Sequence, residues 1–178
     1  ASAINYNPAL NFDGSNDFLR IPTTLQDGFP TGNQSRTVFA VSTHNSTALR
    51  TVFDYGNNAT SQNQSFRYEN GTIRYIGYGN DFVATNAFTV GEPFIAMFDH
   101  NGTQATINTN GVLRQASNRT YNTILADEAR IGSRFAAGEY FVGPIAEVIV
   151  YNRQLSATEV QQVNSYLSLK YGVTYNNG

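Results

Sequence analysis

The sequence predicts an all-β fold: a two-sheet antiparallel sandwich with one helix near its C-terminal end. Short runs rich in β-branched and aromatic residues recur at intervals of roughly 8–15 residues, the spacing of sandwich strands. Asn-Gly pairs at 70–71, 101–102 and 110–111 sit between such runs, the residue pair that tight hairpin turns demand. Apolar residues take up helical spacing in one stretch, after Ser156. The chain has 178 residues, 40% of them hydrophobic, which is enough for one core, and no linker or repeat interrupts it. Residues 1–178 are therefore expected to form a single domain.

The elements follow in order. Leu10 and Phe12, then Phe18 to Ile21, suggest two strands meeting at an Asp13-Gly14 turn that the Asp13 and Asp17 pair would order. Residues 37–42 and 51–55 are β-branched and aromatic runs. Residues 65–69 and 72–76 flank Asn70-Gly71, the strongest hairpin signal in the chain. Residues 94–98 and 104–108 flank Asn101-Gly102, and Asn110-Gly111 turns the chain again before Val112. The last strands are 129–132 and 143–151, with Ile145, Glu147, Ile149 and Tyr151 expected on one face. Ser156 and Glu159 form a capping box, Val160, Val163 and Leu167 make an apolar stripe, and Gly172 suits the helix end.

Composition excludes several functions. Charged residues make up 13% of the chain, about half the usual ~25%. One lysine and a net charge of −2 leave no footprint for nucleic acid. No apolar run approaches the ~18 residues of a membrane span, so no membrane insertion is expected. Zero cysteine excludes disulfides, cysteine zinc sites and thiol nucleophiles. Eleven tyrosines among many amides and hydroxyls suit a surface that meets neutral polar ligands, sugars above all. The same richness also follows from many turns and an extracellular setting.

Residues 10–18 resemble the opening strands of concanavalin A-like, laminin G/pentraxin-type domains. Residues 143–156 resemble their closing strand and helix cap, with Ile131-Gly132 before them, and 163–174 are similar to bacterial versions in large secreted or cell-surface proteins and adhesins. The resemblance implies a jelly roll. It also implies carbohydrate or cell-surface binding at an extracellular location, calcium-assisted in some relatives. Two departures bear on calcium: Ala146 stands where relatives commonly carry an acid, and the loop at 133–140 offers only Glu139. A double calcium site is not expected, whereas a single Ca²⁺ cofactor held largely by amides and carbonyls is compatible with the sequence. Relatives that cleave glucans carry Glu-x-Asp-x-Glu on one strand; this chain has no such run and is expected not to be an enzyme. Glu147 reads as a structural carboxylate or a metal ligand, and His44 and His100 lie in turn-like sequence.

Three segments carry candidate ligand-binding residues. Tyr75, Tyr78, Asn80 and Asp81 combine aromatic rings with amide and carboxylate groups beside flat glycine backbone, as a stacked sugar ring needs; alternatively they form a strand with bulge glycines and a polar turn. Asp54 and Asn57 offer the same chemistry, and Arg134, Glu139 and Tyr140 lie on a long loop. By analogy with lectins of this fold, the three segments would converge at one rim. The expected function is a non-catalytic lectin-like or adhesion module whose partners are glycans or cell-surface polysaccharide. The alternative is a structural or protein–protein interaction module of a larger surface protein or fibre, with other surface proteins as partners.

Overall fold

The computed structural model describes residues 2–135 and 138–176. It contains thirteen strands, a short 3₁₀ turn at Thr23–Leu25 and one α-helix. The strands are β1 (Ser2–Ile4), β2 (Asn7–Asp13), β3 (Leu19–Ile21), β4 (Arg36–Thr43), β5 (Arg50–Gly56), β6 (Asn63–Glu69) and β7 (Thr72–Ile76). They continue with β8 (Phe82–Ala84), β9 (Pro93–His100), β10 (Gln104–Thr109), β11 (Val112–Asn118), β12 (Ala129–Ile131) and β13 (Val142–Tyr151). The helix α1 spans Ala157–Tyr171. One sheet runs β1-β2-β13-β4-β9-β10-β11 and the other β3-β12-β5-β6-β7-β8. Every recorded strand pair is antiparallel. This is the two-sheet sandwich with a C-terminal helix that the sequence predicts.

The hairpin chemistry acts where the residues place it. Asn70 and Gly71 adopt φ of 41° and 76°, the left-handed pair of a type I′ turn, and β6 and β7 pair down to Glu69 opposite Thr72. β9, β10 and β11 form a meander across the other two Asn-Gly turns. Two expectations fail. Residues 10–13 and 19–21 do not pair with each other: β2 pairs with β13 and β3 with β12, so the chain crosses between sheets at Asp13-Gly14. Turn residues specify a reversal but not the strand that receives the next segment. The turn is still ordered by both acids, with Ser15 N donating to Asp13 at 2.7 Å and Asp13 N to Asp17 at 3.2 Å.

The second failure is in β13. A bulge between Ile145 and Glu147 shifts the register, so Ile145 joins the inner core while Ile149 and Tyr151 pack on the opposite face. Glu147 then meets the helix, accepting from Lys170 Nζ at 3.0 Å and Tyr171 Oη at 2.8 Å. It ties β13 to the helix, which is the structural role of its two readings. The two histidines stand next to turns, His44 just after β4 and His100 at the end of β9. Both are fully buried, His44 among Tyr68, Phe88 and Phe141, and His100 donating to the Arg119 carbonyl at 2.9 Å.

Two cores result. The larger lies between the sheets and is strongly aromatic, with Phe53, Phe66, Tyr68, Phe94 and Phe98 among its members. The smaller lies between α1 and the outer face of the seven-stranded sheet, where Leu167 and Tyr171 pack with Phe39, Val41 and Ile95. Ser156 caps the helix in a complete capping box, and Gly172 closes it with φ of 64°. The helix therefore covers one sheet from outside. Among the described residues, the outer face of the six-stranded sheet receives no helix and remains available for a site.

Candidate functional site

Alternation along the six-stranded sheet decides which residues reach its outer face. On β6, Phe66 and Tyr68 enter the core, which turns Ser65, Arg67 and Glu69 outward. On β7, Ile73 and Tyr75 enter the core, which turns Arg74 and Ile76 outward. Register then assembles rows across the strands. Thr51 lies opposite Arg67, Arg67 opposite Arg74, and Arg74 opposite Val83. In the adjacent row Arg20, Arg130, Asp54, Ser65 and Ile76 follow one another.

Between β12 and β13, loop residues 133–135 and 138–140 lie over one side of this face. Phe135 N donates to Asp54 Oδ2 at 3.1 Å, and Asn63 Nδ2 donates to its other oxygen at 3.2 Å. Glu139 accepts from Thr51 Oγ1 at 2.9 Å and pairs with Arg67 at 3.2 Å and Arg134 at 3.7 Å. Arg134 also donates to Asn58 Oδ1 at 2.6 Å and lays its guanidinium 5.5 Å from the centre of the Tyr78 ring. Burial pulls Arg67 below the usual arginine value, opposed by the charges of Glu139 and Asp54. Burial pushes the Asp54 carboxyl up, opposed by its bond from Phe135 N.

Beside that loop a pocket of about 370 Å³ opens. Arg67, Arg74 and Glu69 contribute from the sheet, Arg134 from the loop, and Tyr78 and Asp81 from the β7–β8 turn. Arg74 is held by Glu69, with Nε at 2.9 Å and Nη2 at 2.6 Å from one carboxylate oxygen. Tyr78 is 38% exposed in the left-handed region at φ of 50°, with part of its ring open to a ligand. Guanidinium donors, carboxylate acceptors and an aromatic ring thus share one concavity, the mixture that recognises a polyhydroxylated ring.

The structure separates the predicted residues into three groups. Tyr78, Asp81 and Arg134 line the pocket together. Glu139 and Asp54 stand behind it, Glu139 positioning two arginines and Asp54, 1% exposed, anchoring the loop backbone. The others lie elsewhere. Tyr75 is 1% exposed and stacks on Phe98 with ring centres 3.3 Å apart, so it is a core residue and presents no face to a sugar. Strand alternation sends Tyr75 inward, and the neighbouring Gly77 is closed off by Tyr121 and the Asn80 carbonyl. Asn57 bonds Gln62 at 2.7 Å, Asn80 bonds the Thr120 carbonyl at 2.5 Å, and Tyr140 lies against Phe18. These three make local contacts outside the pocket lining.

Sequence reasoning missed Arg67, Glu69 and Arg74. Their signal was present in the alternation of charged with aromatic residues on both sides of Asn70-Gly71. Among the described residues no group of three or more His, Asp or Glu side chains could hold a metal ion. Of the acids around the pocket, Glu69 and Glu139 are committed to Arg67, Arg74 and Arg134, which leaves Asp81 as the one carboxylate of the lining without an ion pair among the described residues, too few for a carboxylate-built calcium site.

Comparison with known proteins adds the following. Residues 13–161 match a laminin G-type family model described as the concanavalin A-like lectin/glucanases superfamily. A search of curated proteins finds no match. Among solved structures, the CBM40 of Ruminococcus gnavus IT-sialidase is similar with a TM-score of 0.67 at 14% identity, covering 89% of this chain and 97% of that one. Another structure of that CBM40 holds alpha2,3 sialyllactose. Domain 4 of AbnA, an extracellular arabinanase from Geobacillus stearothermophilus solved with arabinotriose, gives 0.66 at 16% identity, covering 88% of this chain and 76% of that one. NanB sialidase from Streptococcus pneumoniae gives 0.66 at 17% identity over 85% of this chain, which spans about a quarter (26%) of the NanB chain.

Proposed function

The chain belongs to the concanavalin A-like lectin/glucanases superfamily, and on that premise we propose that it is a non-catalytic carbohydrate-binding module. The observation that carries this reading is the pocket on the open face of the six-stranded sheet. There the exposed Tyr78 ring stands beside Arg74, Glu69, Asp81 and Arg134. A sugar stacks its apolar face on Tyr78 while its hydroxyls exchange hydrogen bonds with the carboxylates and guanidinium groups around it. Similar folds from a sialidase and an arabinanase, solved with sialyllactose and arabinotriose, support a glycan as partner.

The non-catalytic reading draws support from how the local acids are used. Glycoside hydrolysis needs two carboxylates facing each other across the scissile bond, roughly 5–9.5 Å apart. Glu69 is committed to Arg74, and Glu139 to Arg67 and Thr51. In our reading the module acts outside the cell, in adhesion or as part of a larger secreted chain, a setting shared by the extracellular arabinanase AbnA. Among the described residues no helix is long and apolar enough to cross a membrane.

Glycan-array screening followed by calorimetry tests the reading. Tyr78→Ala and Asp81→Ala are expected to weaken binding about tenfold each, the scale of one stacking contact or one charged hydrogen bond. Binding to no glycan, with or without calcium, would refute it. EDTA is expected to leave both affinity and melting temperature unchanged, and a fall in either would reveal a calcium site.

A further inference from the structure

We propose that the pocket takes an acidic saccharide, a sugar bearing a carboxylate, gripped by the guanidinium groups of Arg67, Arg74 and Arg134; this deepens the carbohydrate reading and rests on it. Strand register supplies the first observation. Arg67 and Arg74 lie directly opposite one another on β6 and β7, on the same outer face. Like charges in such a cross-strand pair repel and destabilise a sheet. A carboxylate between them replaces one repulsion by two attractions.

The second observation is an unspent donor. Arg67 is 5% exposed, yet its Nη2 has no hydrogen-bond partner among the described residues. Nε of Arg134 is buried without a partner in the same way. Arg36, equally buried, shows the usual accommodation. Its guanidinium donates to the Gln34 and Gly32 carbonyls at 3.0 Å, to Tyr55 Oη at 3.1 Å and to Thr123 Oγ1 at 2.8 Å. A buried charged donor left open costs free energy until an acceptor arrives, and a carboxylate is the acceptor that best matches a guanidinium fork.

The local acids do not satisfy these donors. Glu69 is held by Arg74, and Glu139 is divided among Arg67, Arg134 and Thr51. Asp81 stands exposed at the mouth, where water screens its charge. There it accepts from sugar hydroxyls while the carboxylate sits deeper, against the arginines.

The test is calorimetry on the whole chain with sialyllactose and a galacturonate oligomer, each beside its neutral counterpart, lactose and a galactose oligomer. Acidic probes are expected to bind at least about tenfold tighter than neutral ones, with the difference shrinking as salt rises. Arg74→Gln and Arg134→Gln, both at partly exposed positions that should preserve the fold, are each expected to cost about tenfold on acidic probes and a clearly smaller factor on neutral ones, which lose only a hydroxyl contact; equal losses on both would overturn the acidic class. Equal binding of acidic and neutral probes, both weakened by Tyr78→Ala, would overturn the acidic class and leave the carbohydrate reading standing. Failure of every probe to bind would overturn both.

Discussion

Lowering the pH from about 7 to about 4.5 places its largest stress on one ring, His44. The imidazole is fully buried, with Phe141, Phe88 and Tyr68 centred 5.3, 5.9 and 6.0 Å away. Burial lowers its pKa from 6.5 to about 4, helped by the charge of Arg50 and opposed by a bond to the Ala48 backbone. Above pH ~6.5 the ring is neutral whether the chain is folded or not, and its full contribution is present. As pH falls toward about 4, the unfolded chain takes up a proton that the native ring refuses, so stability drops. It stops dropping once the native ring is protonated too.

The gap from 6.5 to about 4 amounts to about 3 kcal/mol at full development, of which about 2.5 kcal/mol is lost by about pH 4.5. That is a large share of a typical total of about 5–15 kcal/mol. Urea unfolding across this range, in the native sequence and in His44→Phe, measures it. Other acid-sensitive groups remain in both proteins and cancel in the difference. Glu159, held down to about 2 first by its bond from Arg153, loses stability with acid, whereas the raised Asp54 works in the opposite sense. The variant should therefore lose about 2.5 kcal/mol less than the native sequence over this range. An equal loss in both would refute the reasoning.

Two further outcomes follow. Tyr75→Phe should leave glycan affinity within about twofold, since its ring lies against Phe98 in the core; a loss matching Tyr78→Ala would place Tyr75 at the ligand after all. Leu167→Ala should cost about 2–5 kcal/mol in urea unfolding because the side chain is fully buried between α1 and the sheet. Leu169→Ala, at an 84% exposed position, should stay within about 0.5 kcal/mol, and equal costs would contradict the helix placement.

Much of the fold was legible because its signals are local. An Asn-Gly pair favours left-handed backbone by its own chemistry, as both residues show at 70–71 and 110–111, so the hairpin at Asn70-Gly71 needed no tertiary information. Ser156 and Glu159 cap each other within one turn, and α1 begins where they predict. The crossing at Asp13-Gly14 and the bulge at Ile145–Glu147 were not legible, because both depend on which distant strand is the partner. The same limit applied to the site. Tyr78, Asp81 and Arg134 were found through turn and loop chemistry, but Tyr75 was placed on the wrong side of its strand.

The sequence by itself determined the helix and most of the strands (though not the short β1 and β8), the uncharged polar surface and the absence of a catalytic carboxylate run. Each is a property of composition or of residues a few positions apart. Tertiary structure alone decided that Arg67 and Arg74 stand opposite one another and that the β12–β13 loop brings Arg134 alongside them. The physical reason is register. A strand's period of two specifies two faces, but which face is buried and which residues become neighbours across it are settled by pairing with strands far away in the chain.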